Sequence, residues 1–225
     1  MIEYEPLLLT IKLAAITTLI LFVICLPLSH WLAYSQFRLK VIVQALITLP
    51  LVLPPSVLGF YLLMSFSPQN SFGNFLYEQF GVRLVFTFSG LVVASVLYSL
   101  PFMVHPLHSG FRSVPFSFKE AAYTMGKNKF TTLMKVLLPN MRASLLTAVV
   151  LTFAHTIGEF GVVLMVGGNI PDQTRVISIA IYDEVQAMNY SKAGFYSILL
   201  SVFTYLLLLA VYITNRKFEK STSLI

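Results

Sequence analysis

Apolar residues gather in long, nearly unbroken runs near Leu7 to Tyr34, Val41 to Phe66, Val85 to His105, Ala143 to Val166 and Ala193 to Thr214. A helix advances about 1.5 Å per residue, so about 20 apolar residues cross the roughly 30 Å of a bilayer's hydrocarbon core. Each run meets that length. Backbone N–H and C=O groups find no water inside lipid, so each run is expected to be helical despite its β-branched residues. The pattern predicts an all-α bundle of five spans in one transmembrane domain over residues 1–225. Trp31 and Tyr34 close the first span, where amphipathic aromatics favour the interface, and Pro27 is placed to kink it. Between the last two runs, Val176, Ile179 and Ala180, with Tyr182 or Val185, recur at helical spacing. They predict a helix lying on the outer surface or dipping back into the bundle, not a sixth span.

Composition agrees: 57% of the 225 residues are hydrophobic and 11% charged, against about 25% charged in an ordinary soluble domain. The net charge of +6 would invite a nucleic-acid reading, but its distribution refuses one. Eleven of the fifteen basic residues fall in the polar segments 35–40, 106–142 and 215–225, which share one face of a five-span bundle. Basic residues are retained on the cytoplasmic side, so the N-terminus is expected outside and the C-terminus inside. Membrane lipid, not nucleic acid, accounts for the charge. The acidic start, Glu3 and Glu5, is unlike the basic start of a secretory signal and is read as retained. Cys25 is the single cysteine and sits in an apolar run as a small buried hydrophobe.

The long polar loop, about 109–142, is the informative one. Phe116, Ala121, Ala122 and Met125 form a compact apolar patch, small residues let a partner approach closely, and Gly126 permits a sharp turn between two short helices. Lys127, Lys129 and Lys135 keep the rest solvated, and Pro139 is expected to stop the second helix. Glu120-Ala121-Ala122, three residues, Gly126, nine residues, Val136, one residue, Leu138-Pro139: this spacing resembles the signature loop of ABC importer permeases, with Val136 in place of the commoner isoleucine. The resemblance implies that Glu120, Ala121, Ala122, Gly126, Val136, Leu138 and Pro139 form a coupling helix docking on a separate ATPase. It further implies a homodimer of this chain, two ATP-binding subunits, and an extracytoplasmic solute-binding protein that delivers cargo. No Gly-x4-Gly-Lys-Ser/Thr phosphate loop occurs in the chain, so ATP belongs to the partner and no cofactor is expected here.

The stretch Leu49 to Phe60, and Ile157-Gly158-Glu159-Phe160-Gly161 followed by Gly168-Asn169-Ile170-Pro171 and Thr174, resemble molybdate-type permeases. Sulfate, tungstate and phosphate permeases share parts of these patterns. The implied cargo is molybdate, with another oxyanion as the alternative. Pro54 and Pro55, with Ser56, break a helix, either as a pore-lining kink or for packing alone. Thr152, His155, Thr156 and Glu159 share a helical face and either line the path or bond neighbouring helices. Counted along an unbroken helix from Ala143, Glu159 lies about 24 Å up, near the outer end. There it serves as a gate, an inter-subunit contact or an interface residue, but a carboxylate repels an anion and is no direct ligand. Asp172, Arg175, Asp183 and Glu184 are candidates for docking the binding protein or are simply solvated.

Other chemistries have little to stand on. His105 and His108 are three apart but lack the further ligands of a metal site. No catalytic triad or paired carboxylate falls within the spans. A secondary transporter would show midplane coupling charges and inverted repeats, and neither is visible.

Overall fold

A computed structural model describes residues 4–222, and of 216–222 the backbone alone. Among the described residues all regular structure is helical. The elements are α1 (Glu5–Tyr34), α2 (Lys40–Val52), α3 (Pro55–Phe66), α4 (Ser71–Phe80), α5 (Phe88–Ser113), α6 (Phe116–Thr124) and α7 (Lys129–Thr132). A π-helical turn (Leu133–Leu137) leads into α8 (Leu138–Asn140), followed by α9 (Arg142–Gly158), α10 (Gly161–Gly167), α11 (Ile177–Gln186) and α12 (Tyr190–Thr222).

Helices α1, α5 and α9 pack against one another at the centre. Leu21, Cys25 and Leu32 of α1 meet Met103, Leu107 and Phe111 of α5 and Ala148 of α9 in one buried cluster. Cys25 is buried there as a small apolar group, as expected. A second cluster joins α3 to α10 and α5 through Leu62, Phe66, Ala94, Val162 and Val166. Outward, Leu19, Val23, Ile42, Leu46, Ile198 and Val202 are exposed. A lipid-facing bundle explains such a surface, since hydrocarbon does not penalise it.

Three helices are long and apolar enough to cross a membrane unbroken, Glu5–Tyr34, Phe88–Ser113 and Tyr190–Asn215, and there are up to five crossings if each bent pair is one span. The second apolar run is not one straight helix: α2 and α3 meet at 111°. Neither Pro54 nor Pro55 has an N–H to continue α2, and a residue before proline is driven out of the α region. Leu53 and Pro54 are accordingly extended, at ψ 135° and 137°. The fourth run is also broken, with Glu159 extended at ψ 133° between α9 and α10. The expected uninterrupted climb to Glu159 is therefore replaced by a helix end. Pro27, Pro101 and Pro106 lie inside continuous helices. Helix α4 falls where the apolar pattern predicts no element, and it is closed by Gly81 in the left-handed region at φ 65°.

Candidate coupling surface and translocation cleft

At one end of the bundle the polar loop folds as two short helices across the ends of α1 and α5. Gly126 adopts φ +72°, a left-handed value that only glycine takes without strain, and a Cβ there would meet nothing within 4 Å. The Asn128 side chain then caps α7, its Oδ1 accepting from the Thr131 N–H at 2.7 Å. Pro139 does not stop the helix. Its missing N–H and its ring disturb the preceding turn, which widens so that the Leu138 N–H bonds to the Leu133 carbonyl. The chain turns instead at Met141, where Lys129–Asn140 and α9 meet at 80°. Leu137 and Met141 anchor this corner in the central core.

The loop's signature residues divide between two surfaces. Ala122 is buried, Val136, Leu138 and Pro139 are half-buried, and Glu120, Ala121 and Gly126 are exposed. The same loop carries exposed Phe116, Phe118, Tyr123, Met125, Phe130 and Met134. Lys119 packs over the Tyr34 ring at 4.0 Å, while the Tyr34 hydroxyl donates to the Phe111 carbonyl at 2.9 Å. Partial burial, with Lys129 nearby, pulls the Lys119 ammonium below the ordinary lysine range. The lysine thus ties α6 to the ends of α1 and α5, which holds the patch at a fixed angle to the bundle.

A cleft of about 610 Å³ opens where the two helix breaks meet, lined by Pro55, Ser56, Tyr98, Ala154, His155, Gly158, Glu159, Phe160 and Gly161. The breaks are in direct contact, since a Cβ on Gly161 would come within 2.7 Å of the Pro55 Cβ. Gly59 likewise lets α3 approach Met165 and Val162 of α10. Glu159 is only 4% exposed. Its carboxyl has the Ser95 hydroxyl beside it and no hydrogen bond of ordinary geometry. The Glu159 carbonyl, freed by the break, accepts from the Ser178 hydroxyl at 2.6 Å, tying the junction to α11. His155 stacks on Phe102 at 3.8 Å and shares a 3.0 Å hydrogen bond with the Ser99 hydroxyl.

The structure therefore brings Pro55, Ser56 and Glu159 together and holds Pro54 at the α3 N-terminus beside them. Thr152 and Thr156 are placed elsewhere. Both are buried, and their hydroxyls donate to the carbonyls of Ala148 and Thr152 one turn back. Tyr98 is a cleft residue that sequence reasoning misses. Its only signal is a polar tip within the apolar run of α5.

At the opposite end, α11 is tucked against α1 and α12, with Ile177, Ile179 and Ala180 buried. The Ile177 N–H donates to the Thr10 hydroxyl at 2.8 Å. Asp172 is exposed. Asp183 accepts from the Asn169 amide at 2.6 Å and lies 3.4 Å from the Arg175 Nε. Glu184 is buried and pairs with Lys192 at 2.7 Å. That ammonium holds the Glu184 carboxyl below the usual carboxylate range, with Asn189 and Arg175 adding to the effect.

Residues 25–224 match the family of binding-protein-dependent transport system inner membrane components. The chain belongs to that family. This permease is a multi-pass membrane transport subunit and not an enzyme. It is 45% identical to the molybdenum transport system permease protein ModB of Azotobacter vinelandii, over 96% of this chain and 95% of that one. It is 31% identical to ModB of Escherichia coli K12, over 82% and 80% of the two chains. The sulfate transport system permease protein CysT of Salmonella typhimurium is also 31% identical, over 86% of this chain and 70% of that one. The permease shares its fold with the bacterial ABC transporter involved in alginate import, at TM-score 0.78, 17% identity and coverage of 95% and 78%. The methionine ABC transporter MetNI gives TM-score 0.71, 19% identity and coverage of 93% and 92%.

Proposed function

We propose that this permease moves molybdate into the cytoplasm as the membrane subunit of an ABC importer. The observation that carries the reading is the 45% identity to a molybdenum permease over nearly the full length of both chains. Sulfate is the second reading, since CysT is as similar as the more distant ModB. Residues 1–225 form one transmembrane domain with five crossings, counting each bent span once. The N-terminus lies outside, and the α6–α8 end, with most of the basic residues, faces the cytoplasm.

Two copies of the permease pair with two ATP-binding subunits, which dock on Glu120, Ala121, Gly126 and the exposed apolar side chains of the loop, while Ala122 packs inward. Val136, Leu138 and Pro139 transmit the resulting displacement through the Met141 corner into α9. The corner is anchored in the core, so a movement of the loop is passed on as a rigid-body shift. The broken α2–α3 and α9–α10 spans form the path, with Pro54, Pro55, Ser56 and Glu159 at their junction. Such unwound segments are tolerated at membrane depth only where protein or a cavity meets the freed backbone groups. A binding protein delivers the anion at the α11 end, where Asp172 offers an exposed charge. Asp183 and Glu184 are already committed to Arg175 and Lys192.

The decisive experiment is uptake of labelled molybdate in cells lacking this chain and complemented with it, against unlabelled tungstate, sulfate and phosphate. Competition by molybdate and tungstate at low concentration is the expected result. Competition by sulfate alone would replace the cargo.

A further inference from the structure

Few of the polar side-chain atoms at the cleft are open to it. Glu159 lines the cleft, but both of its carboxyl oxygens are covered by protein. The Tyr98 hydroxyl and the His155 Nε2 enter no hydrogen bond among the described residues, and neither is among the covered polar atoms that lack a partner. Both side chains line the cleft, so the cleft is the open space these atoms meet. Ser56 is exposed in the first turn of α3, and its hydroxyl is likewise outside the hydrogen bonds of the described residues. The lining side chains therefore present two hydroxyls and one ring nitrogen, and no carboxylate oxygen.

The neighbours of His155 decide where its proton sits. The Thr156 hydroxyl donates to the Thr152 carbonyl at 2.9 Å, which uses its one hydrogen. The Ser99 hydroxyl, 3.1 Å from it, is then the donor to Thr156. Ser99 keeps only lone pairs for His155, so the hydrogen of that 3.0 Å bond belongs to the His155 Nδ1. Phe102, stacked at 3.8 Å, holds the plane of the ring. A neutral His155 thus turns a bare lone pair toward the cleft, and only the protonated ring turns an N–H there. A fully ionised oxyanion carries acceptors alone, so it gains a hydrogen bond from His155 only when Nε2 holds a proton. The Ser99 bond is the same in both states, and the ring need not move between them. The titratable groups that share the cleft with His155 are Tyr98 on α5 and Glu159 at the end of α9; α3 and α10 supply none, and no lining residue comes from α1 or α12. A metal cation would find one nitrogen and no reachable carboxylate oxygen, too few ligands for a site.

We propose that the cleft is a transit site for a tetrahedral oxyanion, held by the hydroxyls of Ser56 and Tyr98 and by the Nε2–H of a protonated His155. The proton comes from water and is taken up at Nε2 as the anion binds, so the anion's charge is partly neutralised inside the bundle. Two hydroxyls and one imidazolium hold an anion less firmly than a cluster of arginines would. That suits a station on a path, where binding must favour entry and still permit release. The site rests on the reading of this chain as an oxyanion importer and deepens it by assigning the cargo contacts.

The test uses the full chain in phosphatidylcholine nanodiscs, labelled with nitrogen-15 histidine and read by NMR, the His155 signals being assigned by their loss in His155→Gln. If that variant does not fold, they are assigned by single substitutions of His30, His105 and His108. At pH 7.5 without oxyanion the Nδ1–H tautomer is expected, and titration with molybdate should convert it to imidazolium. Equilibrium dialysis of labelled molybdate should show binding that strengthens about threefold or more from pH 8 to pH 6. Tyr98→Phe and Ser56→Ala should each weaken binding about threefold or more and keep that slope, whereas folded His155→Gln should lose it. A histidine with a structural role alone would show neither the molybdate-driven protonation nor the slope. An Nε2–H tautomer, a His155 signal unmoved by saturating molybdate and sulfate, or binding independent of pH overturns the site. Uptake in complemented cells separates these outcomes from failure of the transport reading. Uptake with an unmoved His155 sinks the site alone. A response to sulfate and not to molybdate, with sulfate uptake, keeps the site and replaces the cargo, and a response with no uptake of any oxyanion sinks the importer.

Discussion

Gly161 is where the two broken spans touch, and its missing side chain is what allows it. A valine at this position would need the space taken by Pro55, whose Cβ already lies 2.7 Å from where the new Cβ would be. Forcing extra carbon into a packed contact costs about 1–3 kcal/mol. Gly161→Val is therefore expected to lower the thermal midpoint by several degrees and to cut uptake more than tenfold. Gly126→Ala makes a useful contrast, because nothing surrounds its Cβ position. Only the left-handed conformation opposes it, at about 1–2 kcal/mol, so ATPase recovery should persist with modest loss of loop stability.

The Glu184–Lys192 pair gives a pH-dependent prediction. Since pairing with Lys192 depresses the folded carboxyl below its usual range, its contribution is fully present above the unfolded value of about 4.3 and is lost as pH falls through the folded value. Lys192→Met leaves a buried acceptor without its cation and should cost about 1–3 kcal/mol at neutral pH. Melting curves from pH 7 to 3 would then fall less steeply for the variant. A steeper acid limb in the variant would contradict the assignment.

Helix existence was legible wherever a run was long and uniformly apolar, because only a helix satisfies its own backbone in lipid. Helices α1, α5 and α12 follow directly from that rule. The breaks were less so. Pro54 and Pro55 announce an interruption, but not that α3 leaves α2 at 111°. That angle depends on Gly59 and Gly161 letting α3 lie against α10, a tertiary contact with no local sign. The end of α9 at Gly158 has no proline, so counting residues carries the helix through it. Glu159 stands out in the sequence as an ionisable residue in an apolar run, yet its surroundings come from α3, α5 and α11, far away in sequence. The α2–α3 break gives its own prediction. Replacing Pro54 and Pro55 together by alanine restores two N–H donors and relieves the restriction on Leu53. Uptake is expected to be lost while ATPase recovery on pull-down is retained, because the loop of α6 to α8 lies at the far end of α9 from the cleft. Wild-type uptake in the double alanine variant would remove the break from the path.

Coupling across the bundle is a question of which parts can move together. The loop helices meet the core through Leu133, Leu137, Leu138, Met141 and the Lys119–Tyr34 contact, while many of their other apolar side chains are exposed. An exposed apolar patch in a segment bounded by lysines is expected to be covered by protein rather than lipid, since headgroup depth would suit the lysines but not Glu120. Glu120 is exposed on the same loop and takes part in no salt bridge among those of the described residues. Glu120→Lys should therefore leave the fold intact and abolish recovery of the ATPase on pull-down, with uptake falling to background. Glu120→Gln, which keeps the shape but not the charge, should retain partial recovery if the carboxylate meets a hydrogen-bond donor on the partner. The two substitutions separate electrostatic docking from shape alone. If Glu120→Lys still recovers the ATPase at wild-type yield, the patch is not the coupling surface, and the displacement of α9 must be driven from elsewhere on the molecule.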